Sequence, residues 1–358
     1  MNAASRPWQV VTPGEILREE LEARGWTQVE LAEILGKPVQ SVNEILGGKK
    51  AITPETALGL AEALGTSAEL WVNLQANYEL ARVRASSVNG PVKERAALRQ
   101  AAPYREMIRR GWIPGSNRLE EIREQVLAFF GVSSLDQCTA GVAQFKRTAG
   151  RSPDEGALAA WVRRVQLRAL EMPAAAYHPR GAAELAPTLR ILTRQPDSPR
   201  VLINTLNSVG VRVVLERHLP RTHIDGAALW LRKDAPVIGL SLRYDRLDCF
   251  WFTALHELAH ILKHNGTKGA FLDEDLVQDG SDDPAEQEAN SFAGSLLLQP
   301  HELDQLRPPY SRANIEAFAE RILVHPAIVV GRLHHDGLLP HSHLRGLIPT
   351  VKERGMLS

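Results

Sequence analysis

A chain of 358 residues with 42 basic and 42 acidic side chains has room for two or three domains with real cores. Its 44% hydrophobic content belongs to a globular protein rather than a disordered one. Two cysteines, Cys138 and Cys249, are too few for a disulfide scaffold. No apolar run approaches the ~18 residues that would suggest a membrane span, and no cationic-then-apolar leader opens the chain, so a cytoplasmic protein without membrane partners is expected.

The charge is unevenly spread. Residues 1–80 carry 6 basic and 11 acidic side chains, residues 81–200 carry 20 and 11, and residues 201–358 carry 16 and 20. A basic middle between acidic ends bears on partners more than on fold.

Residues 1–11 show no pattern. Thr12-Pro13-Gly14-Glu15 has the composition of a capping box with proline at the first helical position, predicting a helix over about 13–24 closed by Gly25. Thr27-Gln28-Val29-Glu30 repeats the box and starts a short helix through Leu35. Gly36-Lys37-Pro38 makes a tight turn before a third helix over 38–46, which Gly47-Gly48 stops. Thr53-Pro54 starts a fourth helix and Ser67 caps a fifth. Short helices joined by a glycine-containing turn match the helix-turn-helix unit.

From Thr12 to about Arg82 the motifs Pro-Gly-Glu-Ile-Leu, Thr-Gln-x-Glu-Leu-Ala, Ile-Leu-x-Gly-Lys and Ile-Thr-Pro-Glu-Thr-Ala-Leu-x-Leu-Ala resemble the HigA-like antitoxin branch of lambda-repressor-type DNA-binding domains. The resemblance implies double-stranded DNA as a partner, with the third helix in the major groove. Gln40, Ser41 and Asn43 would face base edges, while Gln28, Lys49 and Lys50 would meet phosphates. Against it stands the acidic balance of residues 1–80, which suits a small helical bundle serving homodimerisation or another protein contact.

Residues 86–200 are rich in Ala, Leu and Arg, with helical patterns at Val92–Gln100, Tyr104–Arg110, Leu119–Phe130 and Glu155–Leu170. A boundary is expected at Ser86-Ser87-Val88-Asn89-Gly90-Pro91, giving a DNA-binding domain over 1–85 and a basic helical linker or regulatory region over 86–200. Arg109-Arg110, Lys146-Arg147 and Arg163-Arg164 read first as solvated faces of a bundle. The sharper reading is a surface where nucleic acid or an acidic partner activates the downstream domain, residues 201–358.

In that domain Val211–Glu216, Gly226–Arg232 and Pro236–Leu242 are short, aliphatic and bounded by Gly or Pro, which predicts strands. Next comes Phe252-Thr253-Ala254-Leu255-His256-Glu257-Leu258-Ala259-His260-Ile261-Leu262, apolar on both sides of His-Glu-x-x-His and free of Pro and Gly, hence a buried helix. His256 and His260 then lie one turn apart on one face, where both can reach one Zn²⁺ at roughly 2.0–2.1 Å. Mn²⁺ or Fe²⁺ would suit the same donors. Glu257 sits where a carboxylate can take a proton from an attacking water. A neighbouring small sheet could take an extended peptide as an added strand. Cys249 is about 10 Å back along the helix and reads as core.

A third ligand decides between a metal site and a satisfied histidine pair. His264 would stand about 12 Å along the axis from His256, too far to share one ion. Lys263 and Gly266 occupy the places where the metzincin pattern needs Gly and His. A carboxylate on a later helix remains. Asp283 and Pro284 start such a helix, with Glu286 completing a capping box. Its apolar stripe is Ala285, Ala289, Phe292, Ala293, Leu296 and Leu297, and Glu288 on the border of that stripe is the expected ligand. The acidic run Asp273–Asp283 reads as a solvated loop, or as a cover over the cleft that selects basic substrates. Helices over about 311–323 and 326–335 close the domain, where Tyr310, His325, His334 and His335 are candidates for a second acid-base or oxyanion group.

His256-Glu-Leu-Ala-His260, followed by Glu288-Ala-Asn-Ser-Phe-Ala-Gly-Ser-Leu-Leu-Leu-Gln-Pro300, resembles the ImmA/IrrE family of metallopeptidases from about Val201 to His341. The resemblance implies zinc on His256, His260 and Glu288, with Glu257 as general base and a transcriptional repressor as the protein cleaved. The expected protein is α+β and mostly helical, with a five-helix helix-turn-helix domain, a helical middle and a zincin-like domain with a small sheet. Its expected function is DNA-binding regulation with zinc-dependent endopeptidase activity. The alternative is a non-enzymatic HigA-like antitoxin and autorepressor whose metal fold scaffolds a toxin.

Overall fold

Five helices build the N-terminal unit, which spans residues 1–94: α1 (Pro13–Arg24), α2 (Gln28–Ile34), α3 (Val39–Leu46), α4 (Pro54–Leu64) and α5 (Ala68–Ser86). The computed structural model describes residues 11–86, 91–140, 154–263, 271–274 and 283–351. Most of the expected 86–91 boundary, the Lys146-Arg147 pair, His264, Gly266 and the acidic run over 275–282 lie outside them.

Both N-terminal capping boxes form. The Thr12 N–H donates to Glu15 Oε2 at 2.7 Å and the Glu15 N–H to Thr12 Oγ1 at 3.1 Å; Thr27 and Glu30 repeat the exchange at 2.6 and 3.3 Å. Each box satisfies two N–H groups that the first turn would leave open. Leu17, Leu21, Leu31, Val42, Ile45, Leu60 and Trp71 fill the core, and the Trp71 indole N–H finds Thr66 Oγ1 at 2.8 Å.

The second unit spans residues 95–358, and the division falls inside α6 (Pro91–Ala101). It continues with α7 (Tyr104–Arg109), α8 (Leu119–Phe130), α9 (Glu155–Glu171), α10 (Pro179–Leu185), α11 (Leu189–Leu192) and α12 (Ser198–Ser208). Strands β1 (Arg212–Leu215), β2 (Ile224–Trp230) and β3 (Pro236–Leu240) follow, then α13 (Leu247–Lys263), β4 (Phe271–Glu274), α14 (Pro284–Leu297), α15 (Pro300–Leu303), α16 (Arg312–Arg321) and α17 (Pro326–His335). The fold is α+β and mostly helical, as expected. Among the described residues no helix is long and apolar enough to cross a membrane.

The sheet order is β1-β3-β2-β4, with β1 parallel to β3 and the other two pairs antiparallel. Successive strand residues face opposite sides, and here both sides are buried. Ala228, Ile238 and Leu240 pack with Ala254, Leu255 and Leu258 of α13. Ala227, Leu229 and Val237 pack with Trp161 and Val165 of α9. Gly239 admits that second layer, since a Cβ there would come 2.9 Å from the Trp161 ring.

This layer changes the expected domain plan. The structure divides the chain once, near residue 94, rather than at 85 and again at 200. The helices of 95–200 join the sheet's core rather than forming a separate linker: α6 to α9 lie in the cluster on the Trp161 side, and Ala182 and Leu189 of α10 and α11 lie in the cluster on the α13 side. Their arginines serve the same packing: Arg110 donates to the carbonyls of Arg217 and His218 at 2.8 and 2.9 Å, and Arg168 to that of Leu215 at 2.6 Å. Such bonds satisfy carbonyls at the end of β1.

Candidate metal centre

The apolar residues around His-Glu-x-x-His do bury α13. Leu255, Leu258, Ala259 and Ile261 are closed off from solvent, and His256, Glu257 and His260 are buried with them. The i, i+4 spacing stacks the two imidazoles on one side of the helix, with Nε2 atoms 3.0 Å apart.

The carboxylate that joins them is Glu286 of α14. Its Oε2 stands 3.3 Å from His256 Nε2 and 3.7 Å from His260 Nε2, and its side chain is only 17% exposed. Among the described residues these three form the one cluster whose donor atoms all lie within 4.8 Å of one another. Two imidazoles and a carboxylate are a zinc-type donor set. Three donors sharing a tetrahedral ion at roughly 2.0–2.1 Å would stand about 3.3–3.4 Å apart. The three separations here straddle that value, so the residues fit a divalent cation.

Glu288, expected as the ligand, faces elsewhere. It takes Lys263 Nζ at 2.6 Å on the outer seam between α13 and α14, half exposed, while the ammonium also lies 5.4 Å from the centre of the Phe292 ring. The reason is helical phase. At 100° per residue Glu286 stands about 20° from Ala293, whereas Glu288 stands about 140° from it. Ala289, Ala293 and Leu297 are the residues of α14 that the fold buries, so Glu286 follows them inward. Asp283 caps the helix by accepting the Ala285 N–H, while Glu286 reaches the imidazoles rather than serving as the expected cap. The signal was available in the order Glu286, Ala289, Ala293, Leu297, a tighter stripe than the one drawn from Phe292 and Leu296.

Glu257, one residue beyond His256, reaches the sheet with its side chain. Its carboxylate lies against Gly226 of β2. The other acid-base candidates have structural partners of their own. His325 caps α17 by accepting the Ala327 N–H at Nδ1, and His335 pairs with Asp336. His334 lies 2.9 Å from the His343 carbonyl; burial first, then the nearby Arg246 and His341, hold it below the usual histidine range, against that hydrogen bond. Tyr310 is partly buried against the same core. Cys249, expected in the core, is only partly buried; burial, with Asp248 next to it, still pushes its thiol up to about 12.

On the N-terminal unit Gln28, Gln40, Asn43, Lys49 and Lys50 are exposed. Ser41 is not. It is 8% exposed and its Oγ accepts Lys50 Nζ at 2.7 Å, so it braces the end of α3 and does not face outward. Ser41 falls beside Val42 on the inner face of α3, with Ile45 and Leu46 a turn later.

The two units thus define a helix-turn-helix module and a module with a His-Glu-x-x-His helix beside a small sheet. Residues 17–71 match the helix-turn-helix family and residues 206–334 match the IrrE N-terminal-like domain. The N-terminal part is 38% identical over 79 residues to virulence-associated protein I of Dichelobacter nodosus, covering 22% of this chain and 73% of that protein. It is 38% identical over 71 residues to antitoxin HigA-1 of Vibrio cholerae, covering 20% and 67%. A solved structure of Pseudomonas aeruginosa antitoxin HigA with the higBA promoter is 35% identical, covering 22% of this chain and 87% of that one, at a TM-score of 0.22. The chain belongs to the helix-turn-helix family through its N-terminal unit and carries an IrrE N-terminal-like domain behind it.

Proposed function

We propose that the chain is a DNA-binding transcriptional regulator whose second unit is a zinc-dependent endopeptidase, cleaving a repressor protein in trans or its own linker. The observation that carries this is the convergence of His256, His260 and Glu286 with a buried Glu257 on the next position of the same helix. His256, His260 and Glu286 hold the ion. A bound Zn²⁺ would supply Lewis-acid polarisation of the scissile carbonyl and of water. Glu257 takes the proton of the water that attacks the carbonyl carbon, then delivers it to the amine that leaves as the C–N bond breaks. Burial keeps that carboxylate away from bulk water, where proton exchange would compete.

DNA recognition is assigned to α3. Gln40 and Asn43 are exposed on it and would meet base edges, with Gln28, Lys49 and Lys50 at phosphates. Relatives of this unit are named as transcriptional regulators and antitoxins. That second name favours one other reading, a non-enzymatic antitoxin whose second unit binds a toxin. Nucleic acid as an activator draws less support, because Arg110, Arg163, Arg168, Arg190 and Arg194 all hold carbonyls or acids of the protein itself.

Glu257→Gln separates the readings. Under the peptidase reading it lowers cleavage of a co-expressed repressor by roughly 10²–10⁴-fold and leaves zinc content and operator binding unchanged. A wild-type protein with no zinc after chelator-free purification would sink it. Cleavage rates that match with and without single-stranded DNA at low salt would remove the activator.

A further inference from the structure

We infer that Gly226 is a positioning residue for Glu257, and that the absence of a side chain there is what lets the carboxylate reach its working place. This rests on the peptidase reading above. Gly226 lies in β2 where the pairing with β4 shifts register between Ile224 and Gly226, an irregularity in the strand that faces α13. A Cβ built on Gly226 would overlap Glu257 Oε1 and would stand 3.1 Å from Glu257 Cδ and 2.6 Å from Thr253 Cγ2. Thr253 is one helical turn before Glu257, so the two side chains form a rack along α13, and the bare Cα of Gly226 presses into it. Backbone on one side and a buried helix on the other leave Glu257 one place to stand.

Gly226 shows no positive φ, so alanine fits its backbone and the substitution acts through space alone. The test is a double-mutant cycle in a Thr253→Ser background, which removes the methyl contact. Gly226→Ala is combined with Glu257→Ala and with Glu257→Asp, and read by melting temperature, zinc content and peptide cleavage. The expected result is one zinc per chain in Gly226→Ala and a kcat about 100-fold lower at nearly constant KM, since an ångström of misplacement is enough for that loss. Melting should fall by about 5 °C with Glu257 present and by much less with Glu257→Ala. In the Glu257→Asp pair the shorter side chain leaves room, so Gly226→Ala should cost cleavage no more than about 3-fold. Equal melting losses with and without the Glu257 carboxylate overturn the inference, whether or not the protein proves to be a peptidase. Zinc-free wild type overturns the peptidase reading and leaves the melting cycle as the judge of the packing.

Discussion

Replacing Glu286 by alanine, beside Glu288→Ala, tests the ligand set where two residues of one helix compete for the role. Removing Glu286 takes away one of three donors and leaves two buried imidazoles 3.0 Å apart. Losing an outer partner of a metal ligand already costs 10–100-fold in affinity, so losing the ligand itself should cost more than about 100-fold, or ~2.7 kcal/mol. Removing Glu288 breaks its bridge to Lys263, in which the side chains are 47% and 36% exposed. A bridge that wet contributes about 0.2–1 kcal/mol to stability and nothing to the metal. Competition against a zinc chelator of known affinity measures both. The expected order is a large loss for Glu286→Ala and wild-type affinity for Glu288→Ala, with a melting change of no more than about 2 °C. Loss of zinc in Glu288→Ala, with Glu286→Ala unaffected, would refute the geometry.

Gln40→Ala should cost about 1–3 kcal/mol of operator discrimination, whereas Ser41→Ala should leave base preference intact and lower only stability, by about 0.5–1.5 kcal/mol through the lost Lys50 bond. Band-shift titrations with matched and mismatched operators distinguish them, and an equal loss of discrimination from Ser41→Ala would show that α3 docks differently. Trp161→Ala should destabilise the second unit by about 3–5 kcal/mol in denaturant melts, with the N-terminal unit unaffected; a change within 1 kcal/mol would contradict α9 as half of the sheet's core. Burial, with Asp136 and Asp248 beside the respective groups, pushes the thiols of Cys138 and Cys249 up to about 11 and about 12. Neither should react with a thiol reagent at pH 8 until the protein is unfolded, and fast labelling of the native chain would refute that.

Local chemistry was legible in the sequence because it is decided within a few residues. Thr12 with Glu15 and Thr27 with Glu30 cap their helices whatever packs around them, and His256, Glu257 and His260 share a helix whose own spacing stacks the imidazoles. The strands β1, β2 and β3 were legible too, each within two residues of its expected ends, because Gly and Pro bound them. Tertiary packing decided the rest. Whether Glu286 or Glu288 turns inward depends on which face α14 lays on α13, because residues two apart point to nearly opposite sides of a helix. Whether residues 95–200 are a linker depends on a sheet that needs cover on both sides, and α9 meets that sheet across some fifty residues of chain. Gly226 looks like any strand glycine until Glu257 is seen resting against it, a contact no spacing along the chain announces.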